Sequence, residues 1–195
     1  MSSGFRKHDP NGPAAPSEFA QGVRWLQEAE QEISRFTLRY RVFWHAMWCL
    51  GDHITLNPKV PAGVGCAEAV SYVLKEAGVD MPRIGISGTA ELFAWLKRHR
   101  SLFSESTLDN ISDWSAIPRG TIIISPSVMN KDGTVHHGHV GIFTWVNASN
   151  PIASNSSKTG EFTEHDNIES WMSEHGDLGV YLFTPRDLLD VLASP

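Results

Sequence analysis

Cys66 stands at the start of a segment, Gly63-Val64-Gly65-Cys66-Ala67-Glu68-Ala69-Val70-Ser71-Tyr72-Val73-Leu74, in which Cys66, Val70, Val73, Leu74 and Ala77 recur at helical spacing. The glycines deliver the thiol to the first turn of that helix. There the unpaired amides and the helix dipole favour an anion, which biases a cysteine towards the nucleophilic thiolate. Taken alone, the commoner reading of such a residue is a buried, unreactive core thiol. The balance is changed by His139, which opens the run His139-Val140-Gly141-Ile142-Phe143 and has Gly138 and Gly141 beside it. Small neighbours leave room for a partner or a substrate backbone next to an imidazole that can serve as a base. A thiol and an imidazole brought together form an ion pair, and a third polar group must then hold the ring. The following segment offers Asn155, flanked by Ser154 and Ser156, and Asn155 is taken as that third member. Such a set performs acyl transfer through a covalent thioester.

The elements that must position these groups follow in order. Residues 1–16, rich in Gly, Pro and Ser, read as a flexible tail, and the folded domain begins at residue 17. Phe19, Val23, Leu26, Ile33, Phe36, Tyr40, Phe43 and Met47 mark one long helix or two consecutive ones, with the aromatic stripe of Phe43, Trp44 and Trp48 expected in the core. A loop with Pro58 and Pro61 leads to the Cys66 helix, which Gly78 ends. Ser87 or Thr89 can cap a further helix through Leu92, Phe93 and Leu96. Ile117-Pro118-Arg119-Gly120 turns into a buried strand, Thr121–Ser125, and Asn130-Lys131-Asp132-Gly133 makes a hairpin turn before the His139 strand. Short strands are expected over residues 152–155 and 160–164. Asp166 then caps a helix bearing Ile168, Trp171 and Met172, Val180–Phe183 closes the sheet, and a terminal helix runs through Leu188, Leu189 and Leu192. Helices first and an antiparallel meander after them predict an α+β fold.

With 195 residues the chain suits one domain. A net charge of −6 and the lack of any basic run exclude an electrostatic nucleic-acid binder. The two cysteines, Cys49 and Cys66, are too few for a disulfide-stapled scaffold and are expected as free thiols. The longest apolar run, Val42–Leu50, is too short to span a bilayer, and the first residues lack the apolar core of a secretory signal. His136, His137 and His139 could surround a zinc with Cys66 or His165. No Cys-x-x-Cys or His-Glu-x-x-His spacing supports that, so neither metal nor cofactor is assigned.

Four pieces of the chain, between about Arg39 and Arg186, together resemble the NlpC-like cell-wall cysteine peptidases and, more distantly, the CHAP amidases, both papain-like in fold. They are a helix before the nucleophile segment; Gly65-Cys66-Ala67 opening a helix that ends Ala77-Gly78-Val79; Ile117-Pro118-Arg119-Gly120-Thr121-Ile122-Ile123-Ile124, similar to a Pro-Gly-Asp-Leu-Val-x-Phe strand entry; and His139-Val140-Gly141-Ile142-Phe143, similar to a His-Val-Gly-Ile-Tyr strand. The resemblance implies one papain-like domain over residues 17–195, with helices packed on a small antiparallel sheet. It implies Cys66 as nucleophile, His139 as base and a third polar residue near Asn155, acting on amide bonds of peptidoglycan stem peptides. The Cys66 amide would be one oxyanion donor, and His53 or Asn57 a second. The chain departs from the family in having Gly-Cys-Ala-Glu for Asp-Cys-Ser-Gly, and no tyrosine between Asp52 and Gly65. Expected partners are the wall polymer and a delivery machinery or an inhibitor protein. The competing expectations are a non-catalytic binding module of the same fold, or a hydrolase of another amide or thioester.

Overall fold

Why the chain folds as it does is clearest in its most apolar strand. Ile122, Ile123 and Ile124 are all fully buried, which an alternating side-chain direction permits only if both faces of the sheet are covered. At roughly 1.5–3 kcal/mol for each large apolar side chain withdrawn from water, this strand anchors the architecture. Ile122 and Ile124 join one apolar cluster with Val140, Ile142, Ala153 and the helix that Cys66 opens. Ile123 joins a second cluster on the opposite face, with Phe143, Ile152, Ile168 and Trp171.

The structure, a computed structural model, describes residues 37–54, 65–82, 85–86, 88–108, 111 and 113–186, all within one compact unit, Phe36–Pro195. Expectations for the tail, for the helix before residue 37, for Asn57 and for the terminal helix fall outside the described residues. The described elements are helices α1 (Leu38–Trp48), α2 (Cys66–Glu76) and α3 (Thr89–Arg98), strand β1 (Phe103–Thr107), a 3₁₀ turn (Trp114–Ala116), strands β2 (Ile122–Ser125), β3 (Val128–Met129), β4 (Val135–His136), β5 (His139–Phe143), β6 (Ile152–Asn155) and β7 (Phe162–Asp166), helix α4 (Ile168–His175), a second 3₁₀ turn (Gly176–Leu178), and strand β8 (Tyr181–Pro185). The class is α+β. Six strands form one antiparallel sheet in the order β1-β8-β2-β5-β6-β7, and β3 and β4 form a separate hairpin. Among the described residues no helix is long and apolar enough to cross a membrane.

Three expectations need correction. The meander holds for β5, β6 and β7, but β8 does not close the sheet at an edge: it inserts between β1 and β2. In α1 the buried positions are Val42, Ala46 and, just beyond the helix, Cys49, whereas Trp48 is 60% exposed. The smaller residues face inward and allow α1 to pack on α2, so the aromatic stripe is rotated out of the core. Finally, α3 is capped by the Gly88 backbone, because the Thr89 hydroxyl is engaged with Ser127. The end of α2 is as expected. Gly78 takes φ of 85°, and the amides of Gly78 and Val79 donate to the carbonyls of Lys75 and Leu74. Both cysteines are free.

Candidate active site

Helix α2 packs on β5 and β6, which brings its first residue over the end of β5 where His139 lies. Cys66 is 8% exposed and occupies the first position of the helix, where backbone amides have no intrahelical acceptor. The thiol lines the same cleft as His139 and lies near enough to favour its charged form. By strand parity the His139 ring belongs to the opposite face of the sheet, and there it stacks on the buried Trp171 of α4, with centroids 4.9 Å apart. Trp171 is itself fixed by an indole N–H donated to Ser125 Oγ at 3.1 Å. Because His139 is the first residue of its strand, its ring can touch both the Trp171 face and the head of α2.

The orienting group is Asp166, not Asn155. His139 Nε2 lies 2.9 Å from Ser154 Oγ and 3.2 Å from Asp166 Oδ2, and the Ser154 hydroxyl donates to Asp166 Oδ2 at 2.7 Å. With Nε2 engaged by this pair, Nδ1 is the nitrogen left for the sulfur. Asn155 lines the same cleft, but as the neighbour of Ser154 on β6 it points to the other side of the strand. Two local features place Asp166. The helix α4 is capped by Asn167, whose side chain accepts from Ser170 N at 2.9 Å while Ser170 Oγ accepts from Asn167 N at 3.2 Å. This capping box relieves Asp166 of the cap role and leaves its carboxylate for the ring. Opposite β6 the register jumps from Glu164 to Asp166, so His165 is the extra residue of a β-bulge. A bulge turns consecutive side chains towards one side, and His165 Nε2 accordingly lies 3.5 Å from Asp166 Oδ2.

Electrostatics follow the geometry. Burial opposes a charge on His139, yet the hydrogen bonds to Asp166 and Cys66, with the negative charge of both, hold the imidazolium and raise its pKa to about 9. Asp166 is desolvated, but its bond to His139 and the charge of that ring, with help from Ser154, keep its carboxyl below the ordinary range. His175, 5.3 Å from His139 between ring centroids, is pushed the other way by burial and by the His139 charge. Burial, then the charges of Asp52 and Glu76, push the Cys49 thiol up to about 11.

The glycines serve this chain's own backbone instead of leaving room for a ligand. A Cβ on Gly138 would lie 1.9 Å from the Ser125 carbonyl oxygen, and one on Gly141 2.6 Å from Ile152 Cγ2 and 2.8 Å from the Ala153 oxygen. Gly138 N also donates to Ser127 Oγ at 2.8 Å, and Ser127 Oγ meets Thr89 Oγ1 at 2.7 Å, so α3 and the base of the β3–β4 hairpin hold the approach to His139. Gly138→Ala is therefore expected to lower the unfolding free energy by roughly 3 kcal/mol or more, read from urea denaturation, because backbone and not a side chain must give way.

Cys66, His139 and Asp166 line one cleft of about 760 Å³, with Gly88, Ser156, Lys158, His165 and Glu174 among its walls. His53 is not among its lining residues. Gly51 N donates to the Phe162 carbonyl and Phe162 N to that of Asp52, both at 2.9 Å, which ties this segment beside β7 and sets the His53 ring 4.0 Å from the Glu161 carboxylate. Asn57 lies outside the described residues. Asp166 is the residue that sequence reasoning missed, since it was read as a helix cap; the Asn167–Ser170 spacing was the available signal. Compared with known protein families, curated proteins and solved structures, the chain matches none.

Proposed function

We propose that this chain is a papain-like cysteine hydrolase that cleaves amide bonds in peptidoglycan stem peptides. What carries the reading is a single arrangement: an imidazole held at Nε2 by Asp166 and Ser154, with a thiol at the head of a helix close enough to favour its charged form. Cys66 Sγ attacks the amide carbonyl, and the Cys66 amide, unpaired within the helix, donates to the developing oxyanion. His139 passes its Nδ1 proton to the nitrogen as the C–N bond breaks, leaving a thioester on Cys66. The neutral ring then takes a proton from water, the hydroxide equivalent displaces Sγ, and the acid product leaves with the imidazolium–thiolate pair restored. Asp166 supports the charged ring through both steps. The NlpC-like pattern of the four sequence pieces supplies the substrate class, and a cleft of this size suits a short peptide branch.

The test is digestion of purified cell walls by the full chain, before and after iodoacetamide treatment at neutral pH, with mass spectrometry of released fragments and of the alkylated peptides. Fragments ending at a stem-peptide bond are expected, with label on Cys66, none on Cys49, and cleavage lost in proportion to Cys66 labelling. Walls digested equally well by fully alkylated protein, or left undigested by the untreated chain, would count against the proposal.

A further inference from the structure

The bulge in β7 brings to the His139–Asp166 pair a further imidazole, His165, that the proposed reaction does not use. His165 Nδ1 lies 3.0 Å from the Thr163 carbonyl oxygen and 3.1 Å from the Thr163 hydroxyl, and the neutral tautomer that a metal ion takes at Nε2 is the one that donates Nδ1–H to that carbonyl. The lone pair of the neutral ring is then on Nε2. That lone pair faces Ser154 Oγ at 3.3 Å and Asp166 Oδ2 at 3.5 Å. The Ser154 hydroxyl already gives its proton to Asp166 at 2.7 Å. In that tautomer an acceptor nitrogen is aimed at a carboxylate and at an oxygen whose proton is already given, an arrangement that a cation completes. A second imidazole nitrogen, His139 Nε2, lies 3.2 Å from the same carboxylate oxygen, and all three donor atoms fall within 4.8 Å of one another.

These dimensions fit a zinc ion. Zinc takes imidazole nitrogen and carboxylate oxygen at about 2.0–2.2 Å, which puts neighbouring tetrahedral ligands roughly 3.3 Å apart. Two of the three separations already stand at 3.2 and 3.5 Å. Zinc-binding histidines characteristically donate the other ring nitrogen to a backbone carbonyl or an anion, which fixes the tautomer. His165 has the Thr163 carbonyl at 3.0 Å for this, and His139 has the Cys66 thiol nearby. Two imidazoles and a carboxylate beside an open cleft leave the fourth position to water or another ligand.

We infer that His139, His165 and Asp166 form a zinc site that switches the thiol chemistry off. The ion binds His139 through the nitrogen that Asp166 otherwise holds. A ring metallated at Nε2 and protonated at Nδ1 has no lone pair for the thiol proton, and it releases its remaining proton only as a metal-bound anion. Binding itself stands on the three ligands alone; inhibition rests on the thiol reading proposed above.

The experiment is a competition titration of Zn²⁺ between the full chain and a chromophoric chelator, for the wild type, Cys66→Ala and His165→Gln, alongside wall digestion with and without zinc. The wild type and Cys66→Ala are expected to take one zinc per chain. His165→Gln, altered at an exposed side chain, should bind more than about 100-fold more weakly. Zinc should halt digestion by the wild type, and EDTA restore it. A wild type that fails to compete for zinc, or a His165→Gln variant that binds as tightly, overturns the site. If zinc binds as expected but Cys66→Ala digests walls in its presence, the site stands as a metal centre and the thiol mechanism falls instead.

Discussion

Cys66→Ala is expected to reduce the initial rate of amide cleavage by at least about 10⁴-fold, the scale seen when a covalent nucleophile is removed from a preorganised site. The loss should exceed that of any other single change, because without sulfur no thioester forms and His139 has only water to activate. A structural explanation can be separated from this one. Cys66 sits at the rim of the core, at the start of α2, and is slightly exposed to the cleft. Truncation to alanine removes one atom there, so the urea midpoint should move little while the rate collapses. Cys66→Ser, which keeps nearly the same shape, should be almost as inactive, since a serine hydroxyl ionises far less readily than a thiol. Amine release from purified walls, measured beside an unfolding curve, reads both quantities on one sample. A variant retaining a tenth of the activity would remove the covalent step.

The second large effect is expected at Asp166. Asp166→Asn keeps the shape and one hydrogen-bonding oxygen but deletes the charge that helps bring the His139 pKa to about 9. The imidazolium should then titrate nearer its ordinary value of ~6.5. If His139 must be protonated to release the amine, the alkaline limb of activity falls near pH 9 in the wild type and well below that in the variant. At pH 8 the loss from this titration should be about 30-fold, shrinking towards pH 6. Nuclear magnetic resonance titration of the His139 ring checks the cause independently of turnover. Stability follows with a defined sign. A raised histidine pKa stabilises the fold fully below ~6.5 and loses its effect as pH rises through about 9. The lowered Asp166 pKa stabilises it above the ordinary carboxyl range and fails as pH falls through the folded value. Both describe the same ion pair, so the wild type should exceed the variant most between about pH 4 and 6.5. An unchanged His139 titration in Asp166→Asn would show that the carboxylate does not hold the ring.

What could be read from the residues was local. The helix opened by Cys66, its end at Gly78 and the buried β2 all follow from periodicity and end signals, and the structure has them. What eluded that reading depended on contacts distant in sequence or on a shift of one position. β1, Phe-Ser-Glu-Ser-Thr, is a polar edge strand whose identity comes from pairing with β8. The insertion of β8 into the middle of the sheet has no local signature. Asp166 and Asn167 are both able to cap a helix, and only the serine three residues after Asn167 decides between them. That shift transferred the ring contact from Asn155 to Asp166. The glycines around His139 were correctly noticed but wrongly explained: the spaces they leave are filled by Ser125, Ile152 and Ala153.

The place of β8 also bears on synthesis. Because Tyr181–Pro185 lies between β1 and β2, a ribosome that has finished Cys66, His139 and Asp166 has still not supplied the piece that joins the two parts of the sheet. Until then β1 has no neighbour and β2 offers a bare row of amides and carbonyls, the kind of surface on which nascent chains stick to one another. Interrupted translation would therefore yield clumped fragments in place of soluble partial domains, even though all three residues of the candidate site had already been made.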